Sequence, residues 1–478
     1  MSKVERSGSP DPKVAPQAPF AGRVSACPLA HRAEPLTPGT ARMHRIPREL
    51  ADVWVAQSTV VRANFASAEH ALLGNAATGN ELLKELRFND GTSLAFGEVV
   101  ALAGDFVGSV DELRQVMATE QGQAELRWTR WFAFGQKEPE PKLPPEIKRR
   151  ILERYGRMAA DNSNHFNQNG AALSAYARGH TEALQKAFKA GKTGDDALFA
   201  SAVTDEAYSQ HFLSDTFAAG HIRAPVAEIR ETYRRELPDS VGQALRYVIR
   251  RVIQHLAERG DVPWYWPHSL IERKAIETIQ RAAGTLVDAA TLGDLIVFSW
   301  HDADGRGLDV VSPVDPSGAS IPGGFHWRAA GDGQLTVGST AWRMTLAAMK
   351  ASRAELDAAR ALGAAHPERG ATAWGAAKPY IPSPDTARNQ VFAWRWGAMN
   401  DNMVDAVNKT LREVLVPQLR RYPPDPPVMR LDRFGNPDPK GAVVLHVGEA
   451  FEALVREMEV DGLAMVERAV AKSATGRA

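Results

Sequence analysis

Apolar positions recur at helical spacing through most of the chain. Val53, Val55, Val60, Ala66, His70, Leu72 and Leu73 predict one or two helices between Leu50 and Leu86, and a further helix is predicted around Asp111–Gln121. Between them VVALAGDF is an apolar approach to an acid, Asp105. The Pro-rich run KEPEPKLPPEI, residues 137–147, ends one helical segment and opens another from Ile147 to Ala160. Long amphipathic helices are predicted over 169–190 and 197–219, then shorter ones over 226–236, 239–259 and 270–300, with the loop DVPWYWPHS between the last two. At Gly305 the text changes to Gly, Pro, Ser and β-branched residues, and GLDVV followed by GGFHWRAAGDGQL predicts a two-stranded ribbon within 305–335. Helix resumes over 338–362, 398–418 and 447–472. The fold class is mainly α with a small β ribbon, and no 20–50-residue repeat is visible.

Composition narrows this picture without redirecting it. The 478 residues are 44% apolar and 24% charged, which suits a folded globular chain and excludes a collagen-like or disordered one. Lys and Arg together number 57, as do Asp and Glu, so overall charge gives no reason to expect nucleic acid or an anionic membrane as partner. The one cysteine, Cys27, forms no internal disulfide and no Cys-type metal site, which leaves His and carboxylates as the ligands for any metal. Residues 1–45, with seven prolines and no apolar period, read as a disordered tail. A domain over 46–340 and a helical C-terminal extension over 341–478 follow. The start of the chain carries no apolar run of the length a Sec signal needs, and no stretch approaches the ~20 apolar residues of a membrane span. The expectation is a cytoplasmic protein, or one exported by a non-Sec route.

The candidate chemistry is concentrated in HFLSDTFAAGH, residues 211–221. His211 and Asp215 are four apart, so on a helix their Cβ atoms lie about 5–6 Å from each other on one face. That is close enough to grip one ion. His221 follows the small residues Ala218, Ala219 and Gly220, which admit another backbone or an ion. The same residues also suit a satisfied core pair with His221 in a loop. His165 in DNSNHF opens a helix, Asp105 ends its apolar run, His70 lies on a helix face, and His301 and Asp304 in WHDADG end a long apolar helix. A buried acid such as Asp105 is costly unless paired or liganded. Together these residues make an all-His/carboxylate set suited to zinc.

HFLSDTFAAGH within AYSQHFLSDTFAAGHIRAP resembles the H-x₃-D-x₅-H signature of the zinc-dependent phospholipase C and single-strand nuclease superfamily, on its bacterial phosphatidylcholine-type phospholipase C side. Weaker similarity runs from about 65 to 335 through SAEHALL, FGEVVALAGDF, DNSNHF and the segment from WHDADGRGL to GDG. The resemblance implies a helical bundle holding about two to three zinc ions. Carried over residue by residue, Asp105, His165, His211 and Asp215 hold the first ion, with Asp215 bridging to another. His221 holds the second, helped by His301 and Asp304, with His255 and Glu258 as the competing pair. His70 resembles the family's His ligand to the third ion. Asp105 is the implied general base toward water.

The implied activity is hydrolysis of a glycerophospholipid to diacylglycerol and a phosphorylated head group, so the expected partner is a phospholipid or membrane-surface substrate, with no stable nucleic-acid partner. A nuclease or nucleotidase using the same zinc cluster is the alternative within chemistry, and a non-catalytic metal-binding interaction protein is the alternative outside it. Trp264, Tyr265 and Trp266, or Trp128, Trp131, Phe132 and Phe134, could wrap a quaternary ammonium, although such clusters more often anchor loops in a core. Arg223 could touch phosphate, but a solvated helix cap is the commoner role.

Overall fold

Helix α1, Ser67–Thr78, stops where Gly79 and Asn80 both take positive φ and turn the chain aside. The computed structural model describes residues 67–134, 139–160, 163–238, 250–251, 254–259, 292–369, 375–415, 429–431, 443–445 and 447–475. Instead of helix up to Leu86, the chain forms strand β1, Leu82–Arg87, antiparallel to β2, Ser93–Ala95. The cause is the turn Asn89-Asp90-Gly91, where Gly91 sits at φ 84° and the Asp90 carboxylate accepts from the Thr92 backbone N–H and hydroxyl. Leu83 and Leu86 on this strand then enter the core.

Helix α2, Phe96–Leu102, is buried along its whole length. The helix predicted over Asp111–Gln121 is two helices, α3, Val110–Met117, and α4, Glu120–Phe134. Ser109 starts the first by accepting from Glu112 N–H. Helix α5 covers Pro145–Ala160, α6 Ala171–Thr193 and α7 Asp196–Asp215. Gly194 at φ 69° ends α6, and Asp195 caps α7 by accepting from Leu198 N–H. Helices α6 and α7 pack side by side. The pattern predicts an amphipathic α7, but from Ala202 to Asp215 only Tyr208 escapes burial. It is a central helix rather than a surface one.

Helix α8 spans Val226–Glu236 and α9 spans Leu292–Asp304. The expected ribbon is present as β3, Leu308–Val314, antiparallel to β4, Ser320–Ala329, and β5, Ser383–Pro384, adds a third strand on β3. Helix α10, Thr340–Ala365, packs on α6 and α1. A Cβ on Gly191 would lie 1.9 Å from Arg360 O and one on Gly363 2.0 Å from Phe188 O, so α6 and α10 cross at backbone contact. Helix α11, Asp401–Thr410, runs into a π turn, Leu411–Leu415. The short pair β6, Met429–Leu431, and β7, Val443–Leu445, precedes α12, Val447–Thr475, which is kinked at Gly462.

The architecture is mainly helical. Two apolar cores form. The first joins Leu73, Val99, Leu102, Tyr176, Leu213, Phe217 and Met349, and the second joins Phe166, Ile229, Tyr233, Ile296, Trp300, Met403 and Val407. Helix α10 therefore belongs to the first core and α11 to the second, and all described residues lie in one compact unit. A division at residue 340 is not seen in the packing, because the segment after it supplies walls to both cores. The tail 1–45 with Cys27, the loop DVPWYWPHS, and most of the helices predicted over 239–259 and 270–300 fall outside the described residues. Among the described residues no helix is long and apolar enough to cross a membrane.

Candidate metal centre

The segment 217–226 passes from the first core to the second: Phe217, Ala218, Ala219 and Ile222 belong to one, Ala224 and Val226 to the other. His221 lies on this seam in a 3₁₀ turn, Ala219–His221. His211 and Asp215 occupy the last turns of α7, His165 a 3₁₀ turn, Ser163–His165, His70 the first half of α1, and His301 the last turn of α9. Asp105 follows Gly104, which turns at φ 73° and whose Cβ, if it had one, would lie 2.7 Å from the His165 ring and 2.9 Å from His211 Nε2. Glycine is what lets the backbone come this near the imidazoles.

Among the described residues, three groups of side chains have ligand atoms all within 4.8 Å of one another: His70, His211 and Asp215; Asp105, His165 and His211; His221, His301 and Asp332. Each can hold a metal ion. His211 belongs to two of them, and Asp215 reaches beyond its own. Asp215 Oδ2 lies 2.8 Å from His165 Nδ1 and 3.3 Å from His211 Nε2, while Oδ1 lies 3.4 Å from His221 Nδ1 and 3.5 Å from His70 Nε2. One carboxylate thus faces four imidazoles. His301 Nε2 lies 3.1 Å from Asp332 Oδ2.

The ring tautomers follow from the neighbours behind them. His211 Nδ1 donates to the Val100 carbonyl at 2.8 Å, so Nε2 of the neutral ring keeps its lone pair. The Ser214 hydroxyl donates to Gln210 O or His211 O and therefore accepts from His70 Nδ1 at 2.8 Å, which again leaves Nε2 as the lone-pair atom. These are the backing contacts that orient metal-binding imidazoles. Burial, only partly offset by Asp215, lowers the His70 pKa to about 4 and takes His211 well below its ordinary value. Both rings are neutral at pH 7. Burial alone would raise Asp215, but His211 and His165 outweigh it and hold its carboxyl well below the usual carboxylate range.

The result is a buried carboxylate with neutral imidazole lone pairs turned toward it. Neither Asp215 oxygen makes an aligned hydrogen bond among the described residues, and the same holds for His301 Nε2 and both Asp332 oxygens. Unsatisfied buried polar atoms are rare and costly. Divalent cations would resolve this convergence of electron pairs, and the neutral-imidazole and carboxylate donors, with no thiolate, suit such ions. Asp215, His211, His221 and His70 are fully buried, whereas Asp332 is 14% exposed and His165 and His301 each 4%. Solvent therefore meets the centre from the Asp332 side.

Seven of the eight residues singled out from the sequence, His70, Asp105, His165, His211, Asp215, His221 and His301, come together here. Asp304 does not. Its oxygens accept from Arg223 at 2.6 and 2.8 Å and from Trp300 Nε1 at 3.0 Å, so it ties the end of α9 to the turn behind His221. Asp332 occupies the carboxylate place instead. It sits in the loop after β4, and the one sequence signal for it is an acid between two glycines in GDG. Arg223 is held by Asp304 and by the Gln390 carbonyl rather than standing as a solvated cap. His255 belongs to none of the three groups and pairs with Glu258 and Glu457. Trp128 and Phe132 stack at 5.4 Å inside the first core, so that aromatic cluster anchors helix packing. Trp264, Tyr265 and Trp266 fall outside the described residues. Comparison with family models, with curated proteins and with solved structures finds no match to this chain.

Proposed function

We propose that the chain is a zinc-dependent phosphodiesterase of the phospholipase C type, hydrolysing a glycerophospholipid to diacylglycerol and a phosphorylated head group. The observation that supports this reading is Asp215, one buried carboxylate facing His165, His211, His221 and His70, with Asp332 and His301 beside it. Zinc ions bound there would supply concentrated positive charge for an anionic phosphodiester and a Lewis acid toward water. The protein's part is to hold the donors in place and to move a proton. Asp105, 1% exposed at the end of its apolar segment, is the proposed general base, and Asp332 with His301 borders the mouth through which the phosphate enters. No arginine is needed for phosphate in this account, since Arg223 is committed to Asp304.

The test is hydrolysis by the zinc-loaded full chain of phosphatidylcholine in mixed micelles against single-stranded DNA, each repeated after chelation. Release of phosphorylated head group that stops on chelation and returns with zinc is expected. Zinc-dependent cleavage of DNA with inert lipid would transfer the centre to a nuclease, and bound zinc with neither activity would make it a structural site.

A further inference from the structure

Glu69 precedes the ligand His70 on α1 and is 6% exposed. Burying a carboxyl group costs free energy unless its oxygens find donors. An apolar side chain here would leave two backbone N–H groups of the facing loop without their acceptor. What Glu69 adds is direction. Its Oε2 accepts from Gly333 N–H at 3.0 Å and its Oε1 from Leu335 N–H at 2.8 Å, so the two oxygens straddle the loop immediately after Asp332.

Leu335 packs into the first core, and backbone contacts hold the loop on its other sides. Ala219 N–H, two residues before His221, donates to Ala330 O at 2.9 Å. A Cβ on Gly331 would lie 1.9 Å from Gly305 O, so the loop lies directly on the end of α9, four residues past His301. Gln334 N–H closes the turn onto Gly331 O at 3.1 Å, with Gly333 at φ 70°. Asp332 thus hangs between a strut to the His221 turn, a contact with the His301 helix, and Glu69 on the far side. On the reading of the centre given above, we propose that Glu69 is a positioning residue: it clamps residues 333–335 from the His70 helix and so aims Asp332 at His221 and His301. It touches neither substrate nor metal. The ligand of one group is thereby fixed from the element that carries a ligand of another.

The experiment compares the full chain with Glu69→Gln, Asp332→Asn and the double variant, measuring cobalt(II) bound per chain, its visible absorption, and amide exchange at residues 333–335 without metal. Glu69→Gln keeps the size but sets an NH₂ against one of the two N–H groups. Expected are faster exchange at Gly333 and Leu335, one cobalt ion bound about 10–100-fold more weakly, as for loss of a backing partner, and the remaining ions unchanged. The double variant should lose no more than Asp332→Asn alone, because Glu69 acts through Asp332. Cobalt binding unchanged in Glu69→Gln, or additive losses in the double variant, would overturn the inference while leaving the centre standing. No cobalt on the unmodified chain would overturn the centre and the inference with it. Should Glu69→Gln fail to fold, Glu69→Asp keeps the carboxyl group but withdraws it by one methylene, and the same outcomes apply.

Discussion

Helix α7 carries two buried histidine and carboxylate clusters, and they are built in opposite ways. Toward its middle, Glu206 accepts from His180 Nδ1 at 2.5 Å, from Gln210 Nε2 at 2.8 Å and from the Ser352 hydroxyl, whose oxygen lies 2.7 Å from Tyr176 OH. Glu355 takes the other His180 nitrogen at 3.2 Å. One imidazole stands between two carboxylates, and both its nitrogens act as donors. Burial would lower the His180 pKa, but Glu206 and Glu355 outweigh it and raise it to about 9. This cluster closes on itself and ties α6, α7 and α10. At the C-terminal end of the same helix, Asp215 faces four imidazoles and makes no aligned hydrogen bond among the described residues. The ratio of acid to imidazole is inverted, the rings are neutral, and cations are what the arrangement wants. Burial and residue type are shared; the count of protons against lone pairs separates a paired network from a group that could hold a metal ion.

The largest expected effect breaks the open cluster at its shared atom pair. Asp215→Asn keeps size and removes the charge that serves more than one group, so metal and hydrolysis should fall together while far-UV circular dichroism stays unchanged. Normal turnover with full metal would remove the bridging role. Next, His301→Ala and Asp332→Asn should each release about one ion, since three protein ligands usually mark an open catalytic site, and His255→Ala should release none; metal analysis of the three variants checks this. A smaller effect is expected from Asp304→Asn, which loosens the strut between Arg223 and the end of α9. All ions should remain, with affinity for one lowered by about 10–100-fold. Outright loss of an ion, equal to that in Asp332→Asn, would return Asp304 to the ligand set.

The closed cluster is sharpened by pH. With a pKa of about 9 folded against 6.5 for the ordinary group, protonated His180 stabilises the fold fully below about pH 6.5, and that stabilisation is lost as pH rises through about 9. The thermal unfolding midpoint should therefore drop between pH 6.5 and 9.5, and drop less in His180→Gln. Equal slopes in the two proteins would show that His180 is not held between charges.

Much of this was readable before any coordinates. The four-residue spacing of His211 and Asp215 works because helix geometry is local, and the bounds of α5, α8 and the β3–β4 ribbon follow from proline, glycine and apolar period. Nothing in the sequence pattern singles out Asp332 as a neighbour of His221 and His301. It is brought to His301 by a backbone bond between Ala219 and Ala330 and by the bare contact of Gly331 on Gly305, neither of which leaves a periodic trace. Asp304, one helical turn from His301, has the spacing expected of a partner to it, but its oxygens accept from Arg223, a contact that spacing along the helix does not reveal. Strand β1 was missed because Leu82, Leu83 and Leu86 suit a helix as well as a strand, and the Asn89-Asp90-Gly91 turn decides between them.

The central claim is that the seam between the two cores holds divalent ions on a shared Asp215. Zinc bound per chain, measured by elemental mass spectrometry on the full-length protein after dialysis against trace zinc, tests it most directly. The account predicts about two to three tightly held ions per chain, all released by a strong chelator and regained on return of zinc. A chain that holds less than one ion under those conditions, while folded, would contradict it.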